Sequence, residues 1–282
     1  VFKFYYQAWI LLALASAFGL YYVSRRLLRG GWKPVGFTLL GLVAVPVALA
    51  PARWLTHTIA QASGERVQLS DARGSVWQGS AQLVLTGGAG SNDALALPGR
   101  VSWRIRPQWS GAHIQINADC CTPQPLELAL TAPRQQPLQL TLADHQSQWP
   151  ANLLAGLGTP WNTIRPQGQL ALSTRGLGLQ WANQRVNLHG SLQLDATQMS
   201  TRLSTLVPMG SYRLTLDGGD TPALGLSTLE GSLQLSGQGH WVGNALRFQG
   251  EAMASPGRVE ALSNLLNIIG RRDGARSAIK VG

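Results

Sequence analysis

From Val101 to Phe248 the chain places apolar residues at every second position. Val101, Trp103 and Ile105 alternate with Ser102, Arg104 and Arg106; Ile114, Ile116 and Ala118 alternate with Gln115 and Asn117. The pattern returns in Leu126, Leu128 and Leu130, in Leu138, Leu140 and Leu142, and in Leu170 and Leu172. It continues through Leu177, Leu179 and Trp181, then Val186, Leu188, Leu192 and Leu194, and ends with Tyr212, Leu214 and Leu216, Leu233 and Leu235, and Leu246 and Phe248. Successive side chains of a strand point to opposite faces, so a period of two predicts strands with one dry and one wet face. Gly87-Gly88, Pro98-Gly99, Pro107 and Gly218-Gly219 punctuate the runs at short spacing. The expected fold is mainly β, a meandering antiparallel sheet of short strands. The alternate positions are mostly Gln, Ser, Thr and Arg. They suit either an ordinary polar sheet face or a second face that meets a partner.

Three segments break the period. Arg53–Gly64 is a short amphipathic piece, and Pro150–Leu157 is a short helix closed by Gly156, Gly158 and Pro160. Near the C-terminus Ser255-Pro256 reads as a cap and first-turn proline. Val259, Leu262, Leu265, Leu266 and Ile269 then share one helical face, and Gly270 ends the helix. Arg271 and Arg272 are expected beside its negative end.

The N-terminal region is of another kind. Nothing from Tyr5 to Ser24 is charged, and nothing from Pro34 to Ala52; Ala8–Val23 and Val35–Ala50 are almost wholly apolar. Each approaches the roughly 20 residues that cross a hydrocarbon core about 30 Å thick. Arg25, Arg26, Arg29 and Lys33 lie between them, as in a cytoplasmic loop, and Tyr and Trp residues flank both stretches as interfacial belts do. The expected organisation is an extra N-terminal span with its basic loop (1–33), a transmembrane helix (34–52) and an extracytoplasmic β-rich domain (53–282). The formal charge of +10 follows the same division: +5 belongs to residues 1–33, +2 to 34–255 and +3 to 256–282. A nucleic-acid binder needs a basic stripe with interleaved aromatics on its folded body. The near-neutral body has none, so no nucleic-acid partner is expected.

No motif for chemistry appears. His57, His113, His145, His189 and His240 lack metal-ligand spacing. There is no nucleophile elbow and no phosphate-cradling loop before a helix, and the acids are scattered singly. No catalytic, cofactor-binding or metal-ligating residue is assigned, and the chain is not expected to be an enzyme. Cys120 and Cys121 are adjacent. Neighbouring Cα atoms lie about 3.8 Å apart, shorter than the usual span of a disulfide. Two readings stay open: free thiols on opposite sides of a strand end, or a vicinal or intermolecular disulfide in an oxidising compartment.

One stretch carries a family resemblance. Arg66–Ala81, with Val67, Leu69, Ala72, Gly74, Val76, Trp77 and Gly79 in order, resembles the opening motif of type II secretion system protein N. Leu97-Pro98-Gly99-Arg100-Val101-Ser102-Trp103 follows, as in that family; Gly210–Leu214 and Thr228–Leu233 are also similar to family positions. Gly74 and Gly79 bracket a turn, and Trp77 and Trp103 supply large apolar anchors, so these motif residues are expected to build the fold. The resemblance covers about residues 35–282 and departs at 1–33, since the family has a single span. It implies an accessory component of the Gram-negative type II secretion machinery. Such a component sits in the inner membrane with its bulk in the periplasm, and binds other secretion subunits, in the inner-membrane platform or the secretin or both, and membrane lipid. It also implies a likeness to AsmA-like proteins, whose curved open sheets present a lipid-handling groove. A sheet face left without a second layer distinguishes that alternative from a closed sandwich.

Overall fold

The computed structural model describes residues 47–132, 137–182, 185–243 and 245–282. The first apolar stretch, the basic loop and nearly all of the second stretch lie outside them. Among the described residues no helix is long and apolar enough to cross a membrane.

The described chain opens with helix α1 (Ala52–Ala62) and then winds almost entirely into strands. These are β1 (Val67–Gly74), β2 (Gln78–Thr86), β3 (Ala94–Ala96), β4 (Val101–Gln108), β5 (Gly111–Ala118), β6 (Leu126–Thr131), β7 (Leu138–Leu142) and β8 (His145–Pro150). A 3-10 segment (Ala151–Leu157) and the short α2 (Trp161–Ile164) interrupt them. Then come β9 (Gln167–Ala182), β10 (Arg185–Ser200), β11 (Gly210–Gly219), β12 (Ala223–Gly231), β13 (Leu233–Val242) and β14 (Ala245–Ala254). Helix α3 (Val259–Ile269), β15 (Arg271–Asp273) and β16 (Arg276–Val281) complete the chain.

All strands belong to one antiparallel sheet of sixteen, in the order β1-β2-β4-β5-β6-β7-β9-β10-β11-β12-β13-β14-β16-β15, with β3 beside β2 and β8 beside β9. The ends do not meet, so the sheet is open. At about 4.8 Å per strand it runs roughly 60 Å. Hairpin connections make each strand pair with its sequence neighbour almost throughout, as the alternating pattern and close turns predict.

Three details depart from the sequence reading. The short strands expected around Leu170–Trp181 and Val186–Leu194 are two strands of sixteen residues each. Register breaks between His189 and Ser191, opposite Gly178 and Arg175, join their halves. Gly176 and Gly190 there have φ of +55° and +76°, a conformation that glycine adopts without strain. The extra residue bends the strand but keeps Leu172, Leu179, Leu188 and Leu194 on one face. Second, the chain does not end as a helix and tail: β15 and β16 return to the sheet. Third, Arg272 does not hang beside the end of α3 but reaches back along it, donating to Ser263 Oγ at 2.6 Å and Asn267 Oδ1 at 3.1 Å.

Three of the helical segments rest on the apolar face. Leu262, Leu265 and Leu266 of α3 pack with Tyr212, Leu233, Ala252 and Met199. The 3-10 segment brings Leu153 onto Leu97, Ala118 and Cys121, and α1 brings Ala52 and Leu55 onto Ala81 and Trp103. Apolar side chains that a single layer leaves open are removed from water by these short helices, but only where the helices reach.

Candidate functional site

The cross-strand registers set the alternating leucines into rows running along the sheet. Ile105, Ile114, Leu128 and Leu142 form one row; Leu130, Leu140, Leu179 and Leu188 form the next. Further along, Leu172, Leu194, Leu214 and Leu226 are aligned, and beside them Leu192, Leu216 and Leu224 lead to Gly239 and Phe248. These leucines are half-buried. Ile105 packs beside Trp103 in the cluster that α1 covers, whereas among the described residues the row leucines belong to none of the buried clusters beneath the helical segments. Phe248 is the exception at 8% exposed; a Cβ on Gly237 would meet its ring at 2.4 Å and one on Gly250 at 2.9 Å, so the glycines leave room for it. The backbone beneath the rows is already paired in the sheet. The face therefore offers hydrocarbon surface without main-chain hydrogen bonds, and it suits an apolar occupant better than an extended peptide.

The free edge at β1 is partly closed. The Val67 N–H donates to Ser63 Oγ at 3.1 Å, and Arg100 Nη2 donates to the Asp71 carbonyl at 2.7 Å. Arg100 also donates to Asp71 Oδ2 at 2.7 Å and to Ser80 Oγ at 3.2 Å. The Arg100 hydrogen bond, then that of Arg73, holds the Asp71 carboxyl below its ordinary range. Asp71 stands at φ +48° in a register break, another device that discourages strand addition.

The motif residues fall into two places. Gly74, Val76, Trp77, Gly79 and Trp103 converge at the β1–β2 turn. Trp103 is 6% exposed and donates through Nε1 to the Val76 carbonyl at 3.0 Å. A Cβ at Gly79 would stand 2.5 Å from Trp103 Cζ2 and 2.6 Å from the Arg73 carbonyl, so only glycine fits. Trp77 donates through Nε1 to the Val47 carbonyl at 2.8 Å, and the Val76 N–H donates to the Ala50 carbonyl at 2.8 Å. The turn thus grips the chain where it leaves the second apolar stretch. Pro98 and Gly99 lie at the other end of β4, where Gly99 has φ +81° and faces Asp119.

Cys120 and Cys121 stand in the turn after β5, joined sulfur to sulfur. Cys121 is 3% exposed within the Leu97–Leu153 cluster, and its carbonyl accepts from the Gln148 N–H at 2.9 Å. The histidines do not assemble, and among the described residues no group of three His, Cys, Asp or Glu could hold a metal. His145 is buried, its Nε2 has no partner, and burial lowers its pKa. Sequence reasoning gave it no role, and the signal was present only in its place on the apolar face opposite Thr174.

On the opposite, polar face a hollow of about 400 Å³ is lined by Gln146, Gln148, Ser173, Arg175, Gln193 and Asp195. Asp195 is held by Arg213 through a fork of 2.7 and 2.8 Å. That fork lowers the Asp195 pKa and raises that of Arg213. A carboxylate so engaged beside amides and hydroxyls makes no nucleophile–base pair.

Compared with known families, the chain matches the family model for type II secretion system (T2SS), protein N, over residues 65–279. No curated protein and no solved structure matches it.

Proposed function

The chain belongs to the type II secretion system protein N family, and on that premise we propose that it is a non-enzymatic, membrane-anchored accessory component of the secretion apparatus. In this reading residues 34–52 hold it in the inner membrane, preceded by the extra span and basic loop of 1–33. Residues 53–282 stand in the periplasm and support export of folded proteins by binding other subunits, in the inner-membrane platform or the secretin. The observation that carries the reading is the aligned rows of half-buried leucines along one face of the sheet. A contiguous apolar face outside the buried clusters is the kind of surface that marks an interaction site. The motif turn at Gly74–Gly79 serves this arrangement by fixing the body to its anchor, and the Cys120–Cys121 bridge serves it by closing the turn beneath the 3-10 segment.

Affinity purification of the full chain from secreting cells, with measurement of exported protein in a deletion strain, tests the proposal. Secretion subunits should co-purify and export should fall. Normal export together with an absence of secretion subunits would sink it.

A second reading is a groove that handles lipid in the AsmA-like manner. It is favoured by the same rows, because their backbone is fully engaged and acyl chains ask only for apolar contact. Lipid extracted from the purified full chain should fall in the variant carrying Leu194→Gln, Leu214→Gln and Leu226→Gln. Unchanged lipid content would remove this reading and leave the first in place.

A further inference from the structure

We propose that the hairpin-tip rim of the sheet is a lipid-docking surface, so that the trough lies along the bilayer with its free rim in the interfacial layer. The inference rests on the membrane-anchored reading above and adds where the body sits. Its occupant is identified by where the described chain begins. Val47 accepts from Trp77 and Ala50 accepts from Val76, while Pro51 bridges Ser75. Residues 47–51, at the end of the second apolar stretch, therefore meet the sheet at the β1–β2 turn.

That turn is on one particular rim. Gln78 pairs with Arg104, near the end of β4, and the β4–β5 tip closes at Gln108 and Gly111. Thr131 pairs with both Gly111 and Gln139, Leu138 pairs with Trp181, and Trp181 pairs with Val186. Gly219 pairs with Leu188, and Ala223 with His240 just before the β13–β14 tip. The β1–β2, β4–β5, β9–β10 and β13–β14 turns are thus all on the side where the apolar segment departs. The 3-10 segment, α2, α3 and the long connections 200–210 and 254–276 occupy the other rim.

The bare rim is apolar at its tips. Trp109 is fully exposed at 109%, Val186 is 54%, Val242 51% and Trp181 41% exposed. At the anchor end Val47, Leu49 and Trp54 are about half exposed. Counted in strands, Trp109, Trp181 and the β13–β14 tip recur at roughly 15–20 Å. Tryptophan with aliphatic neighbours at a headgroup-level edge is the composition of an interfacial belt. A rim in water would leave these apolar side chains hydrated, which is unfavourable, whereas the interfacial layer takes them up. Charged side chains at this rim include Arg106 and Arg247, which suit anionic headgroups, and Asp217 and Asp220 of the β11–β12 tip, which do not. The opposite rim also exposes Trp161, Val207 and Ile268, but there they stand among Arg165, Arg202, Arg258 and Glu260 on irregular connections.

The test uses the full chain reconstituted in vesicles of phosphatidylethanolamine and phosphatidylglycerol, carrying p-benzoylphenylalanine in place of Trp109, Val186 or Val242. Position 249, on the polar sheet face, is the reference, and position 42, inside the second apolar stretch, reports anchoring alone. Irradiation should give lipid adducts at the three tips on the order of tenfold above position 249. If position 42 gives adducts and the tips give no more than position 249, the rim inference is overturned while anchoring stands. Adducts at the tips without any at position 42 would support rim docking and remove the span. Adducts at neither would remove both.

Discussion

Leu265 and Leu214 lie over the same face of one sheet and are buried in different ways. Leu265, on α3, is 2% exposed and is enclosed by sheet below and helix around it. Leu214 has Leu194 and Leu226 beside it in register and remains half-buried, with no layer above. The sheet is thus two things at once. Where α1, the 3-10 segment or α3 covers it, it is a conventional two-layer core. Between those covers it is a single layer that holds its register by strand pairing and lateral contact alone. Stability is concentrated at the covered ends, and apolar surface is held available in the middle. That division suits the proposed role in binding other subunits.

The largest test of this contrast is a pair of truncations. Leu265→Ala should cost about 2–5 kcal/mol, the range for a cavity in an enclosed core. Leu214→Ala should cost roughly 1 kcal/mol, because truncation on an open face leaves no enclosed cavity. Denaturant midpoints of the full chain in mild detergent measure both; equal losses would mean that the middle rows are enclosed after all.

Next in size is Gly79→Ala. The added carbon would press on both Trp103 and the Arg73 carbonyl, and a loss of about 1–3 kcal/mol is expected. The indole of Trp103 should become accessible to a soluble quencher. A neutral substitution would show that the motif turn yields more easily than the covered ends do.

A smaller effect concerns the polar face of the middle region. The Arg213 hydrogen bond lowers the Asp195 pKa in the folded protein. The pair therefore stabilises the fold above the ordinary carboxylate pKa, and its contribution is lost as pH falls through the lowered folded value. Both side chains are partly open to solvent, so Asp195→Asn should cost only about 1 kcal/mol at neutral pH. The difference from the parent should close in acid, as parallel denaturation series at pH 7 and below pH 4 would reveal.

The smallest effect belongs to His145. Burial lowers its pKa below the ordinary 6.5. Between that lowered value and 6.5 the unfolded chain holds a proton that the folded chain does not. Stability should therefore rise with pH through this window and level off above it. His145→Phe, which also removes the unpartnered Nε2, should flatten the slope. An unchanged slope would assign it to other groups.

Much of the fold was legible in the sequence because its two controlling signals are local. Alternation at Val101–Ile105 and Leu126–Leu130 reports strands directly, and the 259–269 pattern reports a helix. Gly176 and Gly190 were harder to interpret, since a glycine that ends a strand and one that bends it look alike until the partner strand is known. The short β15 and β16 escaped notice because Arg271–Val281 alternates weakly and gains its place only by pairing with β14. The candidate site was legible in its parts: the leucines and the Gly-x-Val-Trp-x-Gly turn were evident. The convergence of that turn on Val47 and Ala50, across nearly thirty residues, was not.

The sequence by itself determined that this chain would be a sheet with one apolar face, because side-chain direction in a strand follows from backbone geometry alone. It also determined two uncharged stretches, 5–24 and 34–52, with a basic loop between them. Only the tertiary structure decided whether that apolar face would close on a second layer. Alternation is the same in a sandwich and in an open trough. The choice depends on where the few helices land and whether the two sheet edges meet, and both are set by contacts between residues far apart in the chain.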